Sequence, residues 1–311
     1  EMASLGAQGF LGMLVPEAWG GSGVDHVSYA LSVAEVAYAD GSLGAMMALH
    51  NGLVCNPILQ FGTPEQKETV LRPLAAGQMN GAYGLTEPEA GSNAFAIRTK
   101  AEKVAGGWRL SGTKQFMSNG KSADIAIVFA ATDSENPRHR ITAFLVPPGS
   151  DGWTVLRVEE KLGLSCSETC QVQLDGVTVN DDAVLGAPGG GYALAMGTLE
   201  LGRIGIASQS LGLAEAALAH ATDYARTRQT FGKPIIQHQA VGFRLAAMTK
   251  LHASEMAERV ASEAIQVHGG YGYLKDYPVE RIYRDARICR IYEGTSDIQK
   301  MVIAADMAAL P

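Results

Sequence analysis

Basic residues are in the minority in this 311-residue chain: 25 Lys and Arg stand against 32 Asp and Glu, for a net charge of −7. Phosphate backbones are bound by clustered cations, so nucleic acid is excluded as the main partner. Long apolar runs are lacking too. No stretch approaches the roughly 20 residues of a membrane span, and no signal-peptide pattern opens the chain, which predicts a cytoplasmic protein. Cysteine is scarce and scattered, at Cys55, Cys166, Cys170 and Cys289. That spacing fits reduced thiols better than a disulfide framework. Cys166 and Cys170 do not form a CxxC and no second pair complements them, so no metal site is predicted. The common nucleotide and hydrolase fingerprints are also missing: no GxGxxG after a strand, no HExxH and no GxSxG. Gly107–Lys114 (GWRLSGTK) ends in GTK rather than GK[ST] and lies on a predicted hairpin, so it is not a P-loop.

What is present is a sizeable apolar fraction, 47% of residues, and a change of texture along the chain. Ser28–Ala39 (SYALSVAEVAYA) repeats apolar residues at three- and four-residue steps, which predicts a helix. Thr63-Pro64-Glu65-Gln66 reads as a capping box with proline at the first helical position. From Gly81 to about Gly186 short β-rich runs alternate with turn residues: GWRLSG, DIAIVFAA, ITAFLVP, WTVLRV and CQVQLDGVTV. Ala105-Gly106-Gly107 marks a hairpin turn. After Gly189-Gly190-Gly191 helical patterns return, over Tyr192–Arg228, Ala253–Val267 and Asp297–Ala309. The expected architecture is α+β in three domains: helices over 1–80, an antiparallel β-sandwich or barrel over 81–186, and a helical bundle over 187–311. At 246–247 the segment FRLA runs straight into AMTKLHASEM, with too little helix for a full bundle.

Four segments resist a purely scaffolding role. Gly84–Asn93 (GLTEPEAGSN) packs turn formers, hydroxyls and backbone N–H groups together after a strand. Arg228–Gly232 (RQTFG) closes the long helix with a cation, a hydroxyl and an aromatic, although Arg228 alone could simply complement the helix C-terminus. Gln266–Tyr273 (QVHGGYGY) is readable as a C-cap or as glycines that admit a ligand to the backbone. Ile291–Gln299 (IYEGTSDIQ) sets Glu293 among apolar, glycine and hydroxyl residues, where it either flanks a helix start or acts as a base.

Together with LVPEAWGGSG, GTKQFMSNG, the continuation GKPIIQHQ and YPVERIYRDAR, these segments run in an order that resembles the acyl-CoA dehydrogenase family of flavoproteins over nearly the whole chain. The resemblance implies an N-terminal helical domain, a middle β-domain, a C-terminal four-helix bundle and bound FAD. It implies that Leu85 and Thr86 contact the flavin ring with Tyr83 nearby. Phe116 stands where many members have tryptophan, and Ser118 where a threonine usually bonds near flavin N5. Ser92 would help hold cofactor or thioester. Arg228, Thr230, Phe231 and His238 would bind the adenine-dinucleotide part, with Gln266, Gly269 and Gly270 from a neighbouring subunit. Thr295 and Asp297 would complete the FAD site, while Glu200 and Arg203 match positions that touch CoA. A homotetramer, as a dimer of dimers, is implied by the shared site. Relative to the family the chain lacks most of the first helix and a segment near 246–247.

The implied reaction is the α,β-dehydrogenation of an acyl-CoA thioester to the trans-2-enoyl-CoA, as in fatty acid β-oxidation. Glu293 would remove the α-proton, hydride would pass to flavin N5, and electrons would leave to an electron-transferring flavoprotein. The α-C–H becomes acidic only when the thioester oxygen is held by hydrogen-bond donors. The resemblance assigns these to the Glu293 backbone N–H and a ribityl hydroxyl. A carboxylate in a dry pocket loses hydration and becomes a stronger base. Gly294 would let the backbone approach the thioester and Tyr292 would wall out water. Some branches carry the base on the long helix, at the position of Gly202, and glycine cannot serve. An oxidase on the same fold, or a non-catalytic binding protein that keeps the fold, are the alternatives.

Overall fold

A computed structural model describes residues 2–132, 139–246 and 252–288. The chain divides into two units, Glu1–Leu213 and Ala214–Pro311, each taken by itself. Unit one opens with helices α1 (Met2–Ala7), α2 (His26–Ala39), α3 (Gly41–Leu49), α4 (Asn56–Phe61), α5 (Pro64–Gln66) and α6 (Arg72–Ala75). The apolar repeat of α2 buries Tyr29, Val33, Ala34 and Ala37. Asp25 caps its start, accepting from the backbone N–H of Val27 at 2.8 Å and of Ser28 at 2.9 Å. Asp40 repeats the device for α3, accepting from Ser42 and Leu43 at 2.7 and 2.9 Å. The predicted capping box is formed: Gln66 N–H donates to Thr63 Oγ1 at 3.2 Å and Thr63 N–H to Gln66 Oε1 at 3.0 Å.

Between α3 and α4, His50–Cys55 is a π-helical turn, a widening that sequence periodicity does not announce. Buried Asn51 fixes it, accepting from Met13 N–H at 2.9 Å and donating to the carbonyls of Phe10 and Met47 at 2.8 and 3.0 Å.

Eight strands follow: β1 (Gly81–Gly84), β2 (Lys100–Val104), β3 (Gly107–Ser118), β4 (Ile125–Thr132), β5 (Ile141–Val146), β6 (Trp153–Val158), β7 (Thr169–Asn180) and β8 (Val184–Leu185). They make one sheet in the order β6-β7-β3-β2-β4-β5-β8, with β1 also paired to β4. The β2–β3 hairpin turns at Ala105-Gly106 as predicted, with Gly106 at φ 76°. The sheet is not wholly antiparallel: β1 and β2 both run parallel to β4. The chain between β1 and β4 is long enough for a crossover, and side-chain alternation carries no record of strand direction. β4 is buried on both faces, with Ile125, Ile127 and Phe129 in one core and Ala126, Val128 and Ala130 in another. Burial on both sides is why it reads as a continuous apolar run.

The long helix α7 (Gly191–Thr227) starts in unit one and ends in unit two. Gly52 of the π turn lies close to it: a Cβ built on Gly52 would meet Gly202 Cα at 3.5 Å. Unit two continues with a hairpin of β9 (Gln229–Thr230) and β10 (Lys233–Pro234), then α8 (Gln239–Ala246), α9 (His252–His268) and α10 (Pro278–Ile288). A small core of Ala225, Ile236 and Leu245 holds the hairpin end together. The helix predicted over Asp297–Ala309 lies outside the described residues, as does the junction after Ala246. No described helix is long and apolar enough to cross a membrane.

Candidate active site

The GLTEPEAGSN segment leaves β1 at its C-terminal end and is tied to β3 through Leu85, Thr86 and Glu87. Gln115 N–H donates to the Thr86 carbonyl at 2.8 Å. Lys114 Nζ donates to the Leu85 carbonyl at 3.3 Å and to Glu87 Oε1 at 2.8 Å. The Glu87 carboxylate also accepts backbone N–H bonds from Arg98 at 2.6 Å and Thr99 at 2.9 Å. Burial pushes Glu87 up, but the Lys114 charge and these hydrogen bonds outweigh it and hold its carboxyl below the usual range. Burial pulls Lys114 down, and the Glu87 charge and hydrogen bond oppose that pull. Tyr83, one residue before the end of β1, packs on Phe129 with ring centroids 5.1 Å apart. Its buried hydroxyl has no hydrogen-bond partner, and burial raises its pKa. Ser92 is exposed in the bend beyond.

Across from this segment, the β3–β7 register slips between Lys114 and Met117. Phe116 sits in that bulge at φ 54°, with 63% of its surface exposed. An aromatic residue in the left-handed region is strained by about 1 kcal/mol or more, and such strain persists where the surroundings impose it. Two residues on, Ser118 enters the wall of a cavity of about 560 Å3. Arg203 and Gly202 from α7 line the same cavity, so three of the positions singled out from sequence converge there. Glu200 is exposed one turn earlier and is not among its walls.

The cavity also contains residues the sequence reading missed. Leu49 and Leu53 come from α3 and the π turn, and Lys161, Leu164 and Ser167 from the β6–β7 connection. A Cβ built on Gly202 would lie 2.9 Å from Leu53 Cδ2, so the absent side chain on α7 makes room for Leu53. Lys161 Nζ donates to the Ser167 carbonyl at 2.7 Å, which closes the loop on itself in the cavity wall. Leu164, at φ 54°, is another strained non-glycine residue. A Gly- and Ser-containing stretch between two strands was the available signal for this loop.

Unit two brings a second set together. The hairpin turn Phe231-Gly232 has positive φ at both positions, 49° and 76°. Phe231 is 96% exposed, and the His238 ring meets it edge-on at 5.9 Å. His238 Nε2 lies 3.0 Å from the Thr230 hydroxyl and 3.2 Å from the Thr230 carbonyl. Arg228 is fixed through its backbone, whose N–H donates to the Tyr224 carbonyl at 2.8 Å and whose carbonyl accepts from Ile235 N–H at 2.7 Å. Gln266, Gly269 and Gly270 are exposed at the C-terminal end of α9, and nothing stands within 4 Å of a Cβ built on either glycine. Tyr292, Glu293, Gly294, Thr295 and Asp297 lie outside the described residues.

Three family models match the chain: the acyl-CoA dehydrogenase N-terminal domain over 1–78, the middle domain over 82–177, and the C-terminal domain over 189–249 and 245–308. The last match comes in two pieces that overlap at 245–249, across the 246–247 junction noted in the sequence. Human mitochondrial short-chain specific acyl-CoA dehydrogenase is 40% identical, over 99% of this chain and 82% of that protein. The structure of butyryl-CoA dehydrogenase from Megasphaera elsdenii superposes with a TM-score of 0.77 at 40% identity, covering 98% of this chain and 89% of the other. An acyl-CoA dehydrogenase from Bacillus anthracis complexed with FAD gives a TM-score of 0.75 at 31% identity, over 97% of this chain and 61% of that one. The chain therefore belongs to the acyl-CoA dehydrogenase family of FAD-dependent oxidoreductases.

Proposed function

We propose that this protein converts a short-chain acyl-CoA to its trans-2-enoyl-CoA, with Glu293 as the base, and passes the electrons to an electron-transferring flavoprotein. The observation that carries the reading is the 560 Å3 cavity, apolar along Leu49, Leu53 and Leu199 and flanked by the cations Lys161 and Arg203. Such a wall suits an acyl chain joined to a phosphate-bearing carrier.

The residues present fit FAD. The Tyr83 hydroxyl is buried without a partner, and Phe116 and Phe231 are exposed aromatics held in strained backbone. When bound, FAD supplies the acceptor for the β-hydrogen as hydride. The chain supplies the rest. Glu293 takes the α-proton, and its own backbone N–H donates to the thioester oxygen, where negative charge builds as that proton leaves. Gly202 supplies no base at the position of α7 that lines the cavity, and Glu200 is not among the cavity's walls, which leaves the proton transfer to Glu293. Leu53, seated against Gly202, limits the depth available to the acyl tail.

Exposed Met256, Val260 and Val267 on α9, with Tyr271 and Tyr273 after it, support a homotetramer whose copies cover this surface. The deciding experiment mixes Glu293→Gln anaerobically with butyryl-CoA and follows flavin bleaching. Loss of a general base slows the step by about 10²–10⁴-fold. Bleaching at the wild-type rate would sink the assignment of the base. Oxygen consumption during turnover that outpaces reduction of an electron-transferring flavoprotein would move the protein to the oxidases.

A further inference from the structure

We propose that the buried Glu87–Lys114 ion pair is a positioning device for the flavin, locking the Leu85–Thr86 segment to the Phe116–Ser118 bulge. The inference rests on the reading that these two segments face the cofactor. Among the described residues it is the one ion pair with both side chains buried, at 0% and 4% exposure. The remaining pairs are surface contacts.

A buried pair is a poor source of stability, because apolar residues of the same size do as well without the desolvation cost. Its geometry points elsewhere. Glu87 lies one residue after Thr86, and Lys114 two residues before Phe116. The Lys114 ammonium bridges the gap twice, to the Glu87 carboxylate at 2.8 Å and to the Leu85 carbonyl at 3.3 Å. Gln115 N–H adds a third tie to the Thr86 carbonyl at 2.8 Å. The lysine stem runs in ordinary contact distance of Gly84, where a built Cβ would lie 3.5 Å from Lys114 Cγ and, more tightly, 3.2 Å from the end of Met117. The carboxylate is further anchored by the N–H groups of Arg98 and Thr99, so it cannot follow a displaced lysine. Both flavin-facing segments are thereby referred to one fixed point. Glu87 and Lys114 touch no reacting atom in this arrangement; they act through Leu85, Thr86, Phe116 and Ser118.

The test compares holoproteins of wild type, Lys114→Met and the doubly neutral Glu87→Gln/Lys114→Met. The double variant removes both buried charges and carries the test where the single variant does not fold. Apoprotein is titrated with FAD by fluorescence quenching, and the visible spectrum and midpoint potential are recorded at saturating FAD. The proposal expects a Kd for FAD raised roughly tenfold, the loss of about one charge-assisted contact. It also expects a shifted potential and blurred fine structure in the flavin band, which a merely stabilising pair would leave alone. Phe116→Ala and Ser118→Ala run alongside. If they alter FAD binding and spectrum while the double variant matches wild type, the positioning role is overturned and the site reading stands. If neither of them moves any of these, the site reading fails and the proposal with it.

Discussion

Phe116 and Phe231 invite comparison: both are aromatic, both adopt positive φ, and both occupy positions assigned to the flavin cofactor. Their settings differ. Phe116 is set in the bulge of a long strand whose neighbours are pinned by a buried ion pair and by three backbone N–H donors, those of Gln115, Arg98 and Thr99. Phe231 stands on a two-residue turn held by the His238–Thr230 contact and a small apolar core. The unit-one set is imposed by its own chain. The other is presented on a surface, in a shape that a partner or ligand must complete. Preorganisation belongs where ring geometry sets the chemistry, and adaptability is tolerable where the nucleotide tail is held. The other non-glycine residues at positive φ among those described, Asn119 and Leu164, both belong to unit one, one just past Ser118 and one in the cavity wall.

The comparison breaks first at the ion pair. Lys114→Met leaves the Glu87 charge buried with two backbone donors, and the expected loss is about 3–5 kcal/mol in urea unfolding of the apoprotein. The double neutral variant should recover a large part of it. A loss as small as that of a surface pair would show that the first set is no more rigidly held than the second. Acid offers a second probe of the same unit. His50 is buried in the π turn, donates to the Leu74 carbonyl at 3.0 Å, and has its pKa pulled down by burial to about 4 from 6.5. The folded protein therefore binds fewer protons than the unfolded chain between these values. Stability is full above pH 6.5 and falls as pH drops toward 4, by up to roughly 1.4 kcal/mol per pH unit from this residue. His50→Gln, which keeps a donor, should flatten that slope in thermal melts; an unchanged slope would assign acid lability elsewhere.

Much of this arrangement was legible in the sequence, and the reasons for the remainder are physical. The Thr63 capping box acts within four residues and was read directly, whereas the caps at Asp25 and Asp40 and the two-sided burial of β4 were seen only in the structure. Phe116, Ser118, Arg228 and Phe231 were singled out only through the family resemblance of their motifs, and their cofactor roles are part of the proposal. Lys114 was not singled out: lysine is ordinarily a surface residue, and nothing local says that Glu87, 27 positions away, will meet it in the interior. Leu53 was hidden by the π turn, which rotates side chains off the period used to assign faces. The parallel course of β1 and β2 beside β4 was hidden because pairing direction leaves no mark on alternation.

Leu53 supplies a smaller effect. Leu53→Ala should enlarge the cavity beside Gly202 and raise the ratio of kcat/KM for hexanoyl-CoA over butyryl-CoA by about tenfold, in the range a methylene or two commands in an apolar pocket. An unchanged ratio would place the end of the acyl tail elsewhere.

The smallest effect tests the surface set. Asparagine tolerates the left-handed region better than phenylalanine, and Phe231 makes no buried contact that a polar residue would forfeit. Phe231→Asn should therefore leave thermal stability unchanged or raise it by up to about 1 kcal/mol, since the strain at φ 49° is relieved. FAD retention on a desalting column should nonetheless fall. A gain in stability with weaker cofactor binding is the signature of backbone held in a costly shape for a ligand. A loss of stability would mean that Phe231 is packed against something in solution even before FAD arrives, and the distinction between a locked set and a presented set would have to be redrawn.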